Sequence, residues 1–368
     1  METGPLLKKL SEATGVSGYE DEVRAIIGEE FGRYAHEVQT DRLGSIIALK
    51  RGESSNDLSR YYDKPRHSIM LAAHMDEIGL IVTKIEEGFL HFTSVGGFDV
   101  RTLLGQEVVV HGRQPLPGVV GSRPPHVLPD EERNKVIPMD KLFIDVGLGA
   151  EELSEVVRVG DLISLRRDFT ELAGGYATGK AFDDRAGVAS VVICLEQLSK
   201  VRHLWDIYAV ATSQEEVGLR GAMVSAYGLA PDVSIAIDVG FGHSPGLSEA
   251  ETVAMGKGPV IAFGPNIHPR LYQALIETAK KAEIPYQIEA IPGRSGTDAW
   301  AIQVAREGIP TALLSIPVRY MHTSVETIVL KDIERTGRLL ASFIAGLDES
   351  FMEKLEWKRE RIGETTCC

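Results

Sequence analysis

Short apolar runs alternate with longer segments of helical apolar spacing in the second half of the chain, after Gly175. Short runs rich in β-branched residues predict buried strands, and the longer periodic segments predict helices. The predicted strands are Ile207 to Ala211, Val233 to Ile237, Tyr286 to Ala290 and Thr311 to Ile316. The predicted helices are Asp184 to Lys200, Gly218 to Ala226, Pro269 to Ala282, Asp298 to Glu307 and Lys331 to Leu347. This alternation indicates an α/β fold with a mixed, mostly parallel sheet covered by helices on both faces.

The segment from Ile78 to Asp168 has a different pattern. Short strands of alternating apolar and polar residues are separated by glycines and prolines, with almost no helical periodicity. This pattern predicts a small β-domain or barrel. Within it, the proline-rich stretch Gln114 to Lys141 is predicted to be a long loop without regular structure, of the kind that is mobile or functional.

The first part of the chain is predicted to belong to the same sheet as the last part. It contains predicted helices at Leu6 to Ala13 and from Tyr19, hairpin strands at Val38 to Thr40 and Ser45 to Leu49, a polar loop at Glu53 to Arg66, and a buried strand at His67 to Ala73. The β-rich segment is therefore an insertion. We expect a main domain of residues 1–77 and 169–350, an inserted domain of residues 78–168 and a C-terminal tail of residues 351–368.

Composition narrows the possible partners. The 368 residues include 39 basic and 53 acidic ones, a net charge of -14, which argues against nucleic acid or anionic lipid as a main partner. The sequence shows no signal peptide and no apolar run long enough for a membrane span, so a cytoplasmic protein is expected. Three cysteines, including the terminal Cys367-Cys368 pair, do not provide a disulfide framework.

Potential metal ligands follow, or stand at the ends of, several predicted strands. Carboxyl ends of parallel strands meet at one edge of an α/β sheet, so residues distant in sequence can converge there. The candidates are His74 in AAHMDEIG, Asp183 in AFDDRAG, Glu215 and Glu216 in SQEEVG, Asp238 in IAIDVG and His322 in RYMHTSVE.

Each candidate also has a purely structural interpretation. His74 fits a hydrogen-bonded core histidine, and Asp183 fits the N-terminal cap of the following helix. Glu215 and Glu216 fit solvated carboxylates, Asp238 fits a turn residue before glycine, and His322 fits a surface loop. The set is harder to explain in this way, because histidines and carboxylates together are the ligands that Zn²⁺ or Co²⁺ prefers.

Counting charges favours two metal ions. Two divalent ions bring about four positive charges, which Asp183, Glu216, Asp238 and one hydroxide balance. Glu215 is then left without a ligand role, beside the metals, where a general base is needed. Asp76 lies on the same side of an extended segment as His74, where it can accept the second imidazole N–H.

Six motifs in chain order resemble those of the M42 metallopeptidases, the tetrahedral (TET) aminopeptidases, within the wider clan of co-catalytic zinc exopeptidases. The motifs are AAHMDEIG, KAFDDRAGV, TSQEEVGLRGA, AIDVG, SGTDAWAIQVAREGIPT and IPVRYMHTSVE, and the likeness extends from about Leu6 to Ala345.

The resemblance implies a role for each matching residue. Asp183 would bridge two divalent metals, Zn²⁺ or Co²⁺, with His74 and Asp238 at one site and Glu216 and His322 at the other. Glu215 would be the general base and Asp76 the orienting carboxylate, and the Asp183-Asp184 peptide would be cis. The inserted β-domain would mediate dimerisation, and twelve subunits would form a hollow tetrahedron.

The expected reaction is release of the N-terminal residue from peptides by a hydroxide that bridges the metals, with Glu215 as the base. Two alternatives stay open: a carboxypeptidase or deacylase of the same clan, and a metal-stabilised assembly protein without catalysis. Arg294 and Trp300 are candidates for the substrate pocket. Arg294 would favour acidic substrates or pair structurally with a carboxylate, and Trp300 would line the pocket or belong to the core.

Overall fold

The computed structural model describes residues 2–53 and 66–357. The Cys367-Cys368 pair and most of the loop predicted at Glu53 to Arg66 lie outside the described residues. The first elements are α1 (Thr3–Glu12), α2 (Asp21–Gly32), β1 (Glu37–Thr40), β2 (Ile46–Lys50) and β3 (Ser68–His74).

A second group of elements builds a closed barrel. They are β4 (Gly79–Glu86), β5 (Phe89–Val95), β6 (Glu107–His111), β7 (Pro115–Ser122), β8 (Leu142–Asp145), α3 (Ala150–Val156) and β9 (Leu162–Leu165). The strands close in the order β4-β5-β8-β7-β6-β9, and every pair is antiparallel. The barrel encloses its own apolar cluster, which includes Leu153 of α3. The predicted inserted barrel is confirmed.

The remaining elements return to the main sheet. They are β10 (Thr170–Leu172), β11 (Tyr176–Gly179), α4 (Phe182–Leu198), β12 (Asp206–Thr212), α5 (Arg220–Leu229), β13 (Val233–Phe241), β14 (Val260–Phe263), α6 (Pro269–Lys281), β15 (Gln287–Ala290), α7 (Asp298–Ile302), β16 (Thr311–Arg319), β17 (Glu326–Val329), α8 (Leu330–Ala345) and α9 (Phe351–Leu355).

Within the described residues, the main sheet has eleven strands, and its pairing is mixed, as the sequence predicts. Its principal order is β1-β2-β12-β3-β13-β16-β17-β11-β10, with β14 pairing to both β15 and β16. The four central strands β12, β3, β13 and β16 are parallel. The strands outside them are added by antiparallel pairing, except β15, which is parallel to β14. The carboxyl ends of the central strands therefore share one edge.

Alternation along β3 shows that both faces of the sheet are covered. Ile69, Leu71 and Ala73 belong to the apolar cluster that contains residues of α4 and α8. Met70 and Ala72 belong to a separate cluster with residues of α5 and α7. Successive side chains of a strand point to opposite faces, so a strand that is apolar throughout is buried between two helical layers.

The segment Gln114 to Lys141 is not a loop throughout, and this prediction is wrong for its first part. β7 occupies Pro115–Ser122. It pairs with β6 from Pro115 to Val119 and with β8 from Val119 to Ser122. Pro115 and Pro117 stand in the half that β8 does not reach. A strand tolerates prolines where no neighbour needs their missing N–H groups.

In two segments, the extent of helix in the structure differs from the prediction. The helix predicted at Asp298 to Glu307 ends at Ile302, and the chain then turns through Arg306 and Gly308, both of which have positive φ. The segment predicted as a C-terminal tail begins with helix α9, whose Phe351 and Leu355 are buried in the main core. Among the described helices, none combines the length and apolar character required to cross a membrane.

Candidate metal centre and active site

The register of β12, β3 and β13 brings to one level the strand positions that carry, or directly precede, candidate residues. Thr212, the last residue of β12, pairs with His74, the last residue of β3. Ala236 pairs with Ala72, so Asp238 and His74 each lie two residues further along and on the same face. The sequence predicts that the strand of Asp238 ends at Ile237, but β13 continues to Phe241. Asp238 therefore projects from within a strand.

His74, Asp183 and Asp238 form the first cluster of possible metal ligands. One ligand atom from each lies within 4.8 Å of the others, and all three side chains are buried. The Nε2 atom of His74 is 3.0 Å from Oδ1 of Asp183. This arrangement places one imidazole nitrogen and two carboxylates around a common point.

Asp183, Glu216 and His322 form the second cluster, by the same criterion. The Nε2 atom of His322 lies 3.3 Å from Oδ2 of Asp183 and 3.4 Å from Oε1 of Glu216. Asp183 thus faces one histidine with each of its carboxylate oxygens. A carboxylate shared in this way is suited to bridge two cations.

The backbone around Asp183 is unusual, and Glu326 holds it. The Asp183-Asp184 peptide bond is cis, as the resemblance implies. The backbone N–H groups of Phe182 and Asp183 donate to Oε2 of Glu326, at 2.7 and 3.1 Å. The N–H of His322 donates to Oε1 of the same side chain at 2.9 Å. One carboxylate therefore positions residues of both clusters.

Sequence reasoning assigned no role to Glu326, although it stands inside the motif MHTSVE. Its side chain is buried at the start of β17, and burial raises its pKa to about 8. The signal in the sequence was a carboxylate four residues after a candidate histidine, directly before the β-branched run Thr327 to Val329. That signal becomes specific only when the strand is known to run beside Asp183.

Asp76 connects the end of β3 with the loop that carries Glu215 and Glu216. Its two carboxylate oxygens accept the backbone N–H groups of Glu215 at 2.9 Å and Glu216 at 3.2 Å, and Oδ2 also accepts the hydroxyl of Ser17 at 2.6 Å. Nδ1 of His74 lies 3.1 Å from the backbone carbonyl of Asp76 and 3.5 Å from its Oδ1. The carboxylate thus holds the SQEEVG loop in addition to facing the imidazole.

Glu215 belongs to neither cluster but lies beside both. Its side chain is in the wall of the cavity that contains the two clusters, and the residue is only 8% exposed. Burial raises the pKa of Glu215 to about 10, and the neighbouring carboxylates Asp238 and Asp298 act in the same direction. The Glu215 carboxylate therefore lies beside both clusters without belonging to either.

The electrostatics of the clusters fit divalent cations. Burial raises the pKa values of Asp238 and Glu216. The pKa of Asp183 is lowered despite its burial, because His322 and His74 face its oxygens, and those contacts with Asp183 and Glu216 raise the pKa of His322 to about 11. In their ionised forms, so many buried carboxylates are stabilised by positive charge close by, which bound cations would supply.

Asp298 is a second residue that the sequence left without a role. It is buried at the start of α7, where its Oδ2 accepts the hydroxyl of Thr212 at 2.5 Å. Its Oδ1 has no hydrogen-bond partner among the described residues. Burial raises the pKa of Asp298 to about 6. This carboxylate adds to the negative charge behind His74 and Glu215.

Both clusters line a cavity of about 550 Å³, which has room for substrate. Arg294 lines the same cavity, but its side chain is exposed and its guanidinium lies 5.9 Å from the centre of the Trp300 ring. Trp300 is 36% exposed and is not among the described residues that line the cavity. The pair lies at the rim, and Trp300 is part of neither the cavity wall nor the core.

The structure combines an α/β sheet, an inserted barrel and carboxylate–histidine clusters at the sheet edge. This combination is typical of hydrolases, and the side chains of the clusters are suited to bind divalent metals. The chain belongs to the peptidase M42 family, because the family model described as M42 glutamyl aminopeptidase matches residues 44–339.

Relatives and solved structures agree with this family. The chain is 38% identical to a lysyl aminopeptidase of Pyrococcus furiosus over 348 residues, which cover 93% of this chain and 96% of that protein. The structure of a TET aminopeptidase from a marine sediment archaeon of the Thaumarchaeota is similar, with a TM-score of 0.89, 36% identity and coverage of 96% and 99% of the two chains.

A third similar protein is the TET1 peptidase of Pyrococcus horikoshii, which can assemble into a tetrahedron or a large octahedral shell. The TM-score is 0.81 with 34% identity, and the alignment covers 94% of this chain and 100% of that one. The family and these relatives support an aminopeptidase activity and self-association for this chain.

Proposed function

We propose that this protein is an aminopeptidase that releases N-terminal residues from peptides with two divalent metal ions, Zn²⁺ or Co²⁺. The observation that carries the proposal is the pair of ligand clusters that share Asp183 in one open cavity, with Glu215 beside them. His74, Asp183 and Asp238 would hold one ion, and Asp183, Glu216 and His322 the other. Their three carboxylates offset most of the positive charge of two divalent ions.

When bound, the two ions would supply Lewis-acid activation of the scissile carbonyl and of the attacking water. Glu215 takes the proton from that water and later delivers it to the leaving amine. Burial alone disfavours the ionised form of Glu215, but neighbouring cations lower the pKa of a carboxyl and restore its basicity. Asp76 supports this step because it fixes the backbone of both Glu215 and Glu216.

Replacing Glu215 by glutamine tests the role of the base. We expect Glu215→Gln to retain both metal equivalents and to lower kcat by about 10²- to 10⁴-fold, the usual contribution of a general base. Glu216→Gln is the matched neighbour, and it should instead lower the metal content. Elemental analysis and kinetics of a free-amine aminoacyl substrate measure the two effects. Near-normal kcat in Glu215→Gln would contradict the proposal.

The same assay separates the alternative functions. A carboxypeptidase or deacylase would cleave a substrate whose amine is blocked, whereas the proposed enzyme requires a free amine. A metal-stabilised assembly protein without catalysis would show no turnover, and chelation would change its mass. We expect chelation of this protein to abolish turnover, and Zn²⁺ or Co²⁺ to restore it.

We also propose that the chain forms dimers through its barrel and tetrahedral dodecamers from those dimers, in the cytoplasm. The proposal is supported by the similar TET1 peptidase, for which a tetrahedral assembly is described. Names of similar proteins point to opposite side-chain preferences, lysyl for one relative and glutamyl for the family model. The side-chain preference of this chain depends on the residues that line its own cavity.

A further inference from the structure

We propose that Glu289 makes the cavity select a positively charged N-terminal residue, of the lysine or arginine type. The inference rests on the proposed aminopeptidase function and concerns the side chain of the residue to be released. It differs from the acidic preference that Arg294 suggests from the sequence.

The position of Glu289 places a carboxylate in the cavity wall at a distance from the metal ligands. Glu289 lies on β15 and lines the cavity. Its Oε2 is 3.8 Å from the point where a Cβ atom would stand on Gly240. Gly240 follows Asp238 by two residues on the same face of β13, which is about 7 Å along a strand. A substrate side chain that extends away from the metal ligands would reach this carboxylate.

The lack of a side chain at Gly240 keeps the approach to Glu289 open. A Cβ atom there would stand only 3.1 Å from the Cβ of Ser315 as well as close to Glu289. Leu219, Ile291 and Leu313 also line the cavity and give it apolar wall. A cavity that combines apolar wall with a carboxylate suits the hydrocarbon stem and terminal charge of lysine or arginine.

Glu289 has no cationic partner in the part of the chain that the structure describes. No hydrogen bond or ion pair to its carboxylate is formed there. Burial raises the pKa of Glu289. A partly buried carboxylate without a partner is unfavourable, and a substrate cation that enters the cavity relieves this penalty. The cavity therefore offers an unused acceptor for a positive charge.

Arg294 does not reverse this preference. Its side chain is exposed and lies over the Trp300 ring at the rim, and it is not within ion-pair distance of Glu289. Charges in contact with solvent interact weakly, whereas a partly buried charge is less screened. The more buried group, Glu289, decides which side chain is favoured.

The test compares kcat/KM for lysyl, arginyl, leucyl and glutamyl chromogenic substrates with the metal-loaded protein. We expect the wild type to prefer lysyl and arginyl substrates. Glu289→Gln should lower kcat/KM for these two by about ten- to a hundredfold, mainly through KM, the range for a hydrogen bond to a charged group. The leucyl substrate should change less than about threefold. Arg294→Gln should leave the preference for cations in place.

Glu307→Gln is the matched control, because Glu307 is an exposed carboxylate outside the cavity wall. It should leave all four substrates unchanged. A wild-type preference for the glutamyl or leucyl substrate would overturn the proposal. An equal loss of lysyl and leucyl hydrolysis in Glu289→Gln would also overturn it, because it would show a general structural effect.

A binding experiment keeps this inference separate from the proposed function. If neither the wild type nor any variant cleaves any of the four substrates, the proposed aminopeptidase activity is contradicted. Calorimetry with lysinamide and leucinamide then tests Glu289 directly. Tighter binding of lysinamide that is lost in Glu289→Gln supports the inference, and equal binding of the two amides overturns it.

Discussion

Asp76 is a buried carboxylate that fixes three parts of the candidate site. Both of its oxygens accept a backbone N–H from the SQEEVG loop, one also accepts the hydroxyl of Ser17, and Oδ1 faces His74. An asparagine cannot reproduce these contacts, because its NH₂ group would meet a backbone N–H in either orientation. Asp76 therefore holds the part of the loop that carries Glu215 and Glu216, while Glu20 accepts the N–H of the preceding Gln214 at 3.2 Å.

Asp76→Asn is therefore expected to weaken metal affinity or activity by about 10- to 100-fold, the usual cost of losing a group that supports the ligands. Zinc titration and kcat/KM at saturating zinc measure the two quantities. Ser17→Ala is the matched control, because it removes a neutral donor and should cost less than about tenfold. Equal effects of the two substitutions would show that the charge of Asp76 is unimportant.

Residue types and strand ends were enough to predict which side chains converge at the site. His74, Asp183, Asp238, Glu216 and His322 lie in two clusters of possible ligands. The buried carboxylates Glu326 and Asp298 received no role, because their function depends on neighbours from other strands. Glu326 acts through backbone N–H groups near Asp183 and His322, and a sequence does not show which backbone groups lie within reach.

At the scale of elements, the pair Gly96-Gly97 after β5 brings the barrel into contact with the candidate metal centre. A Cβ atom on Gly96 would lie 2.8 Å from a side-chain carbon of Ile78 and 3.5 Å from Cβ of Glu216. A Cβ atom on Gly97 would lie 3.1 Å from Nδ1 of His322. The barrel therefore packs directly against two possible ligands of the second cluster, and it leaves no space there for larger residues.

Gly97→Ala is expected to displace His322 and to weaken one of the two metal equivalents by about tenfold, at the lower end of the range for changes next to a ligand. Competition with a zinc chelator measures the two equivalents. Gly228→Ala is the control, because a Cβ atom on Gly228 in α5 would meet nothing within 4 Å. If both variants bind zinc like the wild type, the barrel does not constrain His322.

The first and last residues of strands and helices depend on contacts with neighbouring elements, and local sequence patterns do not show those contacts. Apolar periodicity located the strands and helices of the main sheet, but the prolines of β7 concealed a strand. Pro115 and Pro117 are compatible with that strand only because β8 stops short of them, which is a property of the barrel register. In the structure the buried Gly118 and Val120 alternate with the exposed Pro117 and Val119, but residue types alone do not show this alternation.

At the scale of the whole molecule, the sequence predicted a mixed sheet interrupted by a β-rich insertion, and the structure confirms both. The order of the strands could not be read in the same way, because periodicity shows which residues are buried but not which strands are neighbours. The centre of the sheet is the clearest example. β3 pairs with β12 and β13, which follow it only after the entire barrel.

The barrel is proposed to mediate the assembly of several chains. Val127 and Val136 lie between β7 and β8, and each is 57% exposed in the single chain. Exposed apolar side chains on an inserted domain suit a contact with a second copy. We expect the wild type to have the mass of twelve chains of 40.1 kDa.

A double substitution of Val127 and Val136 by aspartate should reduce the assembly to smaller species, because charges in the centre of an interface are unfavourable. Mass photometry measures the change. Val201→Asp is the control, since Val201 is 52% exposed but lies outside the barrel, and it should leave the mass unchanged. An unchanged mass in the double variant would place the contact elsewhere. A wild type that is monomeric would contradict the proposed assembly itself, whereas activity of such a monomer would show that the metal centre functions without partner subunits.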